Sequence, residues 1–275
     1  MFVQFYRPCQ ALQPIVSNYM LMHVHLDRHQ PPVVKPYPTN PEQCLFFYAR
    51  DAVEVFNYAL EKEEFSPPSI IVGPQVARVD IKMSHEHLTI KVGFQPGGLF
   101  RLLGMPMWQL LDQSVDSHQL LGQEISEINE QLRALNTYPD MIRLIEKFLL
   151  KKIALRQSEV HAIDKVAQLM LHSRQYSLDW LADQSCLSPR QFERKFLERV
   201  GMSPKLFMRV VRFAQAYRMK DRQPQLDWQD IVYQCGYYDQ MHLIRDFKLF
   251  AHVTPTGLMK EEERSPVKIF PGNPF

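Results

Sequence analysis

The chain has 275 residues, is 45% hydrophobic and 23% charged, and carries a net charge of +2. That balance excludes intrinsic disorder and excludes a surface that is basic overall, so any polyanion-binding footprint must be a local patch, and the length predicts two domains rather than one. Cys9, Cys44, Cys186 and Cys235 lie far apart without a C-x-x-C pair, which argues against a zinc knuckle or a disulfide framework. With no apolar run of about twenty residues and no signal-type start, the expected location is the cytoplasm.

Up to residue 95 the apolar runs are short and β-rich: "SNYMLMHVHL", "QCLFFYA", "AVEVFNYAL", "SIIVG" and "LTIKVGF". Proline-bearing stretches such as "RHQPPVVKPYPTNP" and "FSPPS" read as the turns between them. Two H-x-H pairs stand out. His23 and His25 project to one side if they share a strand, and so do His85 and His87, with Glu86 between the latter. The four are either ligands of a cupin-like metal site or half-exposed strand histidines, and "MSHEHL" is polar enough to tip a hairpin. Pro96-Gly97-Gly98 reads as a strand-to-helix turn, since no G-x-x-x-x-G-K-[ST] follows it.

Beyond "FQPGG" the period becomes helical through "SHQLLGQEISEINEQLRALN" and "YPDMIRLIEKFLLKKIAL". Leu120, Leu121, Ile125, Ile128 and Leu132 form one stripe, which serves either the domain core or a homodimer interface. Polar "RQSEV" at 156–160 marks the boundary between an N-terminal domain, 1–155, and a helical domain, 158–260. An irregular tail, 261–275, is expected after it.

The helical domain contains a repeat. "SPRQFERKFLERVGMSP" (188–204) aligns without a gap on "DQMHLIRDFKLFAHVTP" (239–255), pairing Phe192 with Leu243, Arg194 with Arg245, Phe196 with Phe247 and Pro204 with Pro255. A short amphipathic helix precedes each copy, giving helix-turn-helix outlines at about 177–200 and 228–251. Ser188 is a good N-cap, Pro189 suits the first helical position and Gln191 completes a capping box. At about 100° per residue, Phe192 and Phe196 face inward while Arg190 and Arg194 face out. Arginine forks match guanine O6 and N7, and Glu193 can accept from cytosine N4. Any solvated amphipathic helix shows such arginines, but a merely solvated face has no reason to recur with the same caps and inner aromatics. Residues 190–222 hold ten Lys/Arg against three Asp/Glu, a local charge of +7. Such a patch suits phosphate contacts from Lys195, Arg199, Arg209, Arg212 and Lys220, joined by Lys248 of the second copy.

At these residues the chain resembles the DNA-binding domain of AraC/XylS-type transcription regulators over roughly 158–260, most closely in "CGYYDQMHLIRDFK". The resemblance implies a long central helix at 204–220 holding both motifs. It places Arg190, Glu193 and Arg194 of the first copy, and Gln240, Met241, His242 and Arg245 of the second, at the base- and backbone-reading positions. His252 and Cys186 stand where a glycine would suit a positive φ, so some strain is expected at both. Residues 1–150 are similar to a regulatory domain of the same group, which implies a sensory or dimerising module. The expected fold class is α+β, with a mainly β N-terminal domain and an all-α C-terminal domain. The expected function is a sequence-specific DNA-binding activator, without enzymatic activity or cofactor. Its partners would be double-stranded DNA, RNA polymerase, a small-molecule effector in the N-terminal domain and a second copy of the chain. The rivals are a non-specific architectural DNA binder and a metal-dependent sensor or enzyme domain fused to a DNA reader.

Overall fold

In a computed structural model the described residues are 1–29, 31–156, 159–172, 176–265 and 267. The N-terminal strands form two antiparallel sheets packed face to face. The larger has the order β1 (Phe2–Tyr6), β2 (Val16–His25), β9 (Glu86–Phe94), β4 (Cys44–Tyr48), β7 (Ser69–Val72), β10 (Ser114–Asp116). The smaller runs β3 (Val33–Tyr37), β8 (Val79–Met83), β5 (Glu54–Asn57), β6 (Lys62–Phe65). Period-two alternation divides the side chains of β2 between two cores: Met20, Met22 and Val24 enter the sandwich, while Tyr19 and Leu21 point to the opposite face.

That opposite face is covered by α1 (Gly98–Leu103), a short 3-10 helix at Met107–Leu110, α2 (Ser117–Leu121), α3 (Glu124–Ala134) and α4 (Tyr138–Arg156). The stripe Leu121, Ile125, Ile128 and Leu132 is buried there, with Leu120 partly buried against it, so core packing uses it. Gly97 turns β9 into α1 in the left-handed region, φ 77°.

Five strands, β1, β3, β6, β8 and β10, lie outside the apolar runs read from the sequence. β3 lies inside the stretch read as proline-bearing turns; it is an edge strand, where Pro36 removes no ladder bond that the sheet needs. β6 is wholly exposed and has no apolar signal, and β8 is short and mostly half-buried. "MSHEHL" is no hairpin tip: β8 and β9 belong to different sheets, and the chain crosses between them there.

The boundary read at 156–160 falls between α4 and α5 (Ala162–His172); Gln157 and Ser158 of it lie outside the described residues. The C-terminal domain continues with α6 (Leu178–Gln184), α7 (Pro189–Val200), α8 (Pro204–Arg222), α9 (Trp228–Gln234), α10 (Gln240–Ala251) and α11 (Pro255–Arg264). The last helix runs to Arg264, so the expected start of the tail at 261 is too early; of the tail, 266 and 268–275 lie outside the described residues.

The two domains are joined by buried polar contacts. Lys35 of β3 pairs with Glu262 of α11, both almost fully buried. Arg78 binds Asp80 at 2.6 Å and reaches across to Glu261 at 2.7 Å and to the Ala251 carbonyl at 3.3 Å. Gln43 donates to the Val200 carbonyl at 2.8 Å, and Arg199 lies over the Phe100 ring, 4.4 Å from its centroid.

Candidate nucleic-acid interface

Each helix-turn-helix is set by local chemistry. Ser188 caps α7, accepting from the Gln191 amide, and Gln191 answers with a bond from the Ser188 amide, which is the full capping box. Asp239 caps α10 through the His242 amide at 2.7 Å. Ser203 and Thr254 cap the helices that follow, each with proline in the first turn. The turn leaving α6 places Cys186 at φ 53°, and that leaving α9 places Gly236 at φ 64°. Gly201 ends α7 at φ 87° and His252 ends α10 at φ 58°, so both suspected non-glycine positions do adopt the left-handed conformation.

α8 is the shared spine. Phe196 of α7 meets Phe207 at 5.5 Å between ring centroids, and six residues further along α8 Phe213 meets Phe247 at 4.9 Å and Phe250 at 5.4 Å. The inner stripes Phe192–Phe196 and Leu243–Phe247 are all fully buried in one core. Burying one face of each recognition helix leaves the other in solvent: Arg190, Glu193 and Arg194 on α7, and Gln240, Met241, Arg245 and Lys248 on α10, are exposed.

Several expected DNA contacts are placed elsewhere. Arg199 is buried and grips Asp164 of α5 with two bonds of 2.6 and 2.7 Å, so it is a core ion pair rather than a phosphate contact. Arg209 and Arg212 converge on the fully buried Asp246 carboxylate at 2.7 and 3.2 Å, clamping α10 to α8. Arg212 also lies over the Tyr237 ring and contacts a ring nitrogen of His242 at 3.0 Å. His242 is therefore half-buried and turned against the spine instead of projecting with Met241. Lys220 donates to the carbonyls of Pro224 and Leu226 at 2.7 and 2.6 Å, which ties the loop after α8, and Lys195 pairs with Glu198 at 2.9 Å. Tyr238, just before the α10 cap, is 93% exposed and stood outside the residues singled out in the sequence.

A cleft of about 650 Å³ opens between the domains, lined among others by Glu42 and Gln95 of the N-terminal domain and by Gln168, Gln215, Arg218 and Arg222 of the C-terminal one. Burial, and then the neighbouring Arg222, pull the Arg218 guanidinium below its ordinary value. Behind the cleft, Lys91 is fully buried against Glu42.

The four candidate metal-ligating histidines do not stay together. His23 and His25 point to the helix-covered side of the larger sheet. His87 points into the sandwich, hydrogen-bonded to Thr89 at 2.7 Å and pushed down to about 4 by burial, and His85 sits at the crossing between the sheets. Glu86, not His85 or His87, joins His23 and His25. Among the described residues the cysteines form no disulfide, and no helix is long and apolar enough to cross a membrane.

Residues 181–261 match the family described as a helix-turn-helix domain, and residues 4–116 match a domain of unknown function, DUF6597. No curated protein matches the chain. A solved structure of ToxT from Vibrio cholerae superposes with a TM-score of 0.50 at 11% identity, over 95% of this chain and 99% of that one. ToxT bound to an unsaturated fatty acid gives 0.48 at 12% identity, over 88% and 95%. The AraC-like transcriptional activator CuxR gives 0.27 at 13% identity, over 78% and 86%. With two capped helix-turn-helix units on one spine, behind a β-rich domain, the chain carries a helix-turn-helix domain at residues 181–261 and shares the fold of ToxT.

Proposed function

We propose that the protein is a sequence-specific transcriptional activator that reads two successive major-groove segments with α7 and α10, and that it acts as a regulator rather than an enzyme. The observation that carries this reading is the pair of exposed faces, Arg190–Glu193–Arg194 and Gln240–Met241–Arg245, held on one buried spine. The 19 residues of α8 span about 28 Å, comparable with the ~34 Å that separates equivalent positions on one side of the duplex. The arginines suit guanine, Glu193 cytosine, Gln240 adenine, and Met241 the thymine methyl. Lys248 and the Tyr238 hydroxyl suit phosphate oxygens, which position the protein without selecting sequence.

RNA polymerase is the protein partner that activation requires. A small-molecule effector fits the inter-domain cleft, where Arg218 and Arg222 favour an anionic group. Because the cleft walls come from both domains, an occupant there would bias how they sit together.

Selection of binding sites from random DNA tests the reading. One enriched motif covering two major-groove segments, bound about a thousandfold or more tightly than scrambled DNA, is the expected result. Tight low-salt binding without any motif, from the full chain and from residues 158–275 alike, would instead identify an architectural binder.

A further inference from the structure

His23 and His25 lie two residues apart on β2 and so share one face, and Glu86 of β9 stands directly opposite His25 in the antiparallel register. The face they share is the helix-covered one, but at its rim, where the hydrophobic run Tyr19, Leu21 gives way to solvent. The two imidazole rings lie 4.2 Å apart between centroids, and one ligand atom from each of the three residues falls within 4.8 Å of the others. His23 Nε2 is closed off from solvent and among the described residues has no hydrogen-bond partner; the Glu86 Oε1 atom stands 3.5 Å away. Two ligands each 2.0–2.1 Å from a tetrahedral ion stand about 3.3–3.4 Å apart, so the His23–Glu86 separation is close to that of a shared ion, and His25 has to move by about an ångström to complete the set.

The surroundings orient the set. His23 Nδ1 is 2.9 Å from the Tyr138 hydroxyl at the start of α4, and Phe2 stacks on Tyr138 at 4.9 Å. A proton on Nδ1 donated to that hydroxyl leaves the Nε2 lone pair free for a cation, the arrangement in which the other ring nitrogen of a metal-binding histidine is held by an outer partner. Arg50 Nε also lies 3.5 Å from Glu86 Oε1 and shares its charge, which moderates affinity for a cation without blocking the histidines.

We propose that His23, His25 and Glu86 bind one divalent transition-metal ion of the zinc class, with Tyr138 as a positioning residue and solvent completing the coordination. Two imidazoles and a carboxylate favour such an ion over calcium or magnesium, which take oxygen ligands. The site ties β2 and β9 to the end of the helix that leads to the DNA-binding domain.

The test uses the untagged full-length chain, stripped with a chelator and titrated with Co²⁺, whose visible absorption reports a low-coordinate nitrogen/oxygen site, followed by Zn²⁺ competition. One Co²⁺ per chain, displaced by Zn²⁺, is expected. His25→Ala and Glu86→Gln should each weaken binding by about 100-fold or more, and Tyr138→Phe by about 10-fold. His25 is exposed, so its loss leaves the fold intact, which an unchanged thermal melt of the metal-free variant checks. Absence of the band at saturating Co²⁺, or a band that persists in both ligand variants, overturns the proposal.

Discussion

Arg199 holds Asp164 through Nε and Nη2 at 2.6 and 2.7 Å, and the same carboxylate accepts the His161 amide at 3.0 Å, so one ion pair caps α5 and anchors the end of α7. Both side chains are over nine-tenths buried. Arg199→Ala leaves a buried carboxylate without its cation and is expected to destabilise the protein by about 3–5 kcal/mol, measured by urea denaturation. At a temperature where the variant is folded, its DNA salt dependence should match that of the parent. A reduced slope would return Arg199 to the phosphate-contacting set.

The exposed cations should divide into two kinds. Arg194→Ala is expected to cost about 1–3 kcal/mol on the selected site and to relax discrimination at one base pair. Lys248→Ala should weaken selected and scrambled DNA alike and lower the salt slope by about one. Lys220→Ala should do neither, because its ammonium ties the Pro224–Leu226 loop; a stability loss of about 1 kcal/mol is expected instead. Binding curves at two salt concentrations for the three variants check this division.

Lys35 and Glu262 are separated by 227 residues in sequence and are buried together where the domains meet. Removing either alone strands a buried charge, so Lys35→Met and Glu262→Met should each destabilise the docked arrangement by about 3 kcal/mol or more, while the double variant should recover most of that loss. Thermal melts of the four proteins give the coupling. Additive losses would mean that the two groups do not act as a pair.

Cys186 and His252 both hold a positive φ with a side chain present. Cys186 is exposed, so Cys186→Gly should stabilise the protein by about 1 kcal/mol by removing the left-handed penalty. His252 packs on the Tyr58 ring at 4.8 Å between centroids across the domain boundary, so His252→Gly should gain less or lose stability. Comparing the two melting temperatures separates the backbone effect from the lost contact.

Which cations stay exposed was the least legible part of the candidate site. The +7 charge of residues 190–222 was correct as a count, but the partners that consume it lie far away in sequence: Asp164 takes Arg199, and Asp246 takes Arg209 and Arg212. The metal-ligand set failed for a similar reason. H-x-H spacing places two histidines on one face, yet only strand register decides whether Glu86 or His87 stands beside them.

Residue order alone determined the duplicated helix-turn-helix, its caps at Ser188 and Asp239, its inner aromatic stripe and the outward Arg190, Arg194 and Arg245, because helix starts and faces are written in spacings of three and four residues. Tertiary structure alone decided the pairing of buried charges, the docking of α11 and the end of α7 against the β-rich domain, the edge strand through Pro36 and the meeting of His23, His25 and Glu86. Those outcomes depend on which surfaces exclude water from one another, and a buried charge takes whatever partner the fold brings within reach.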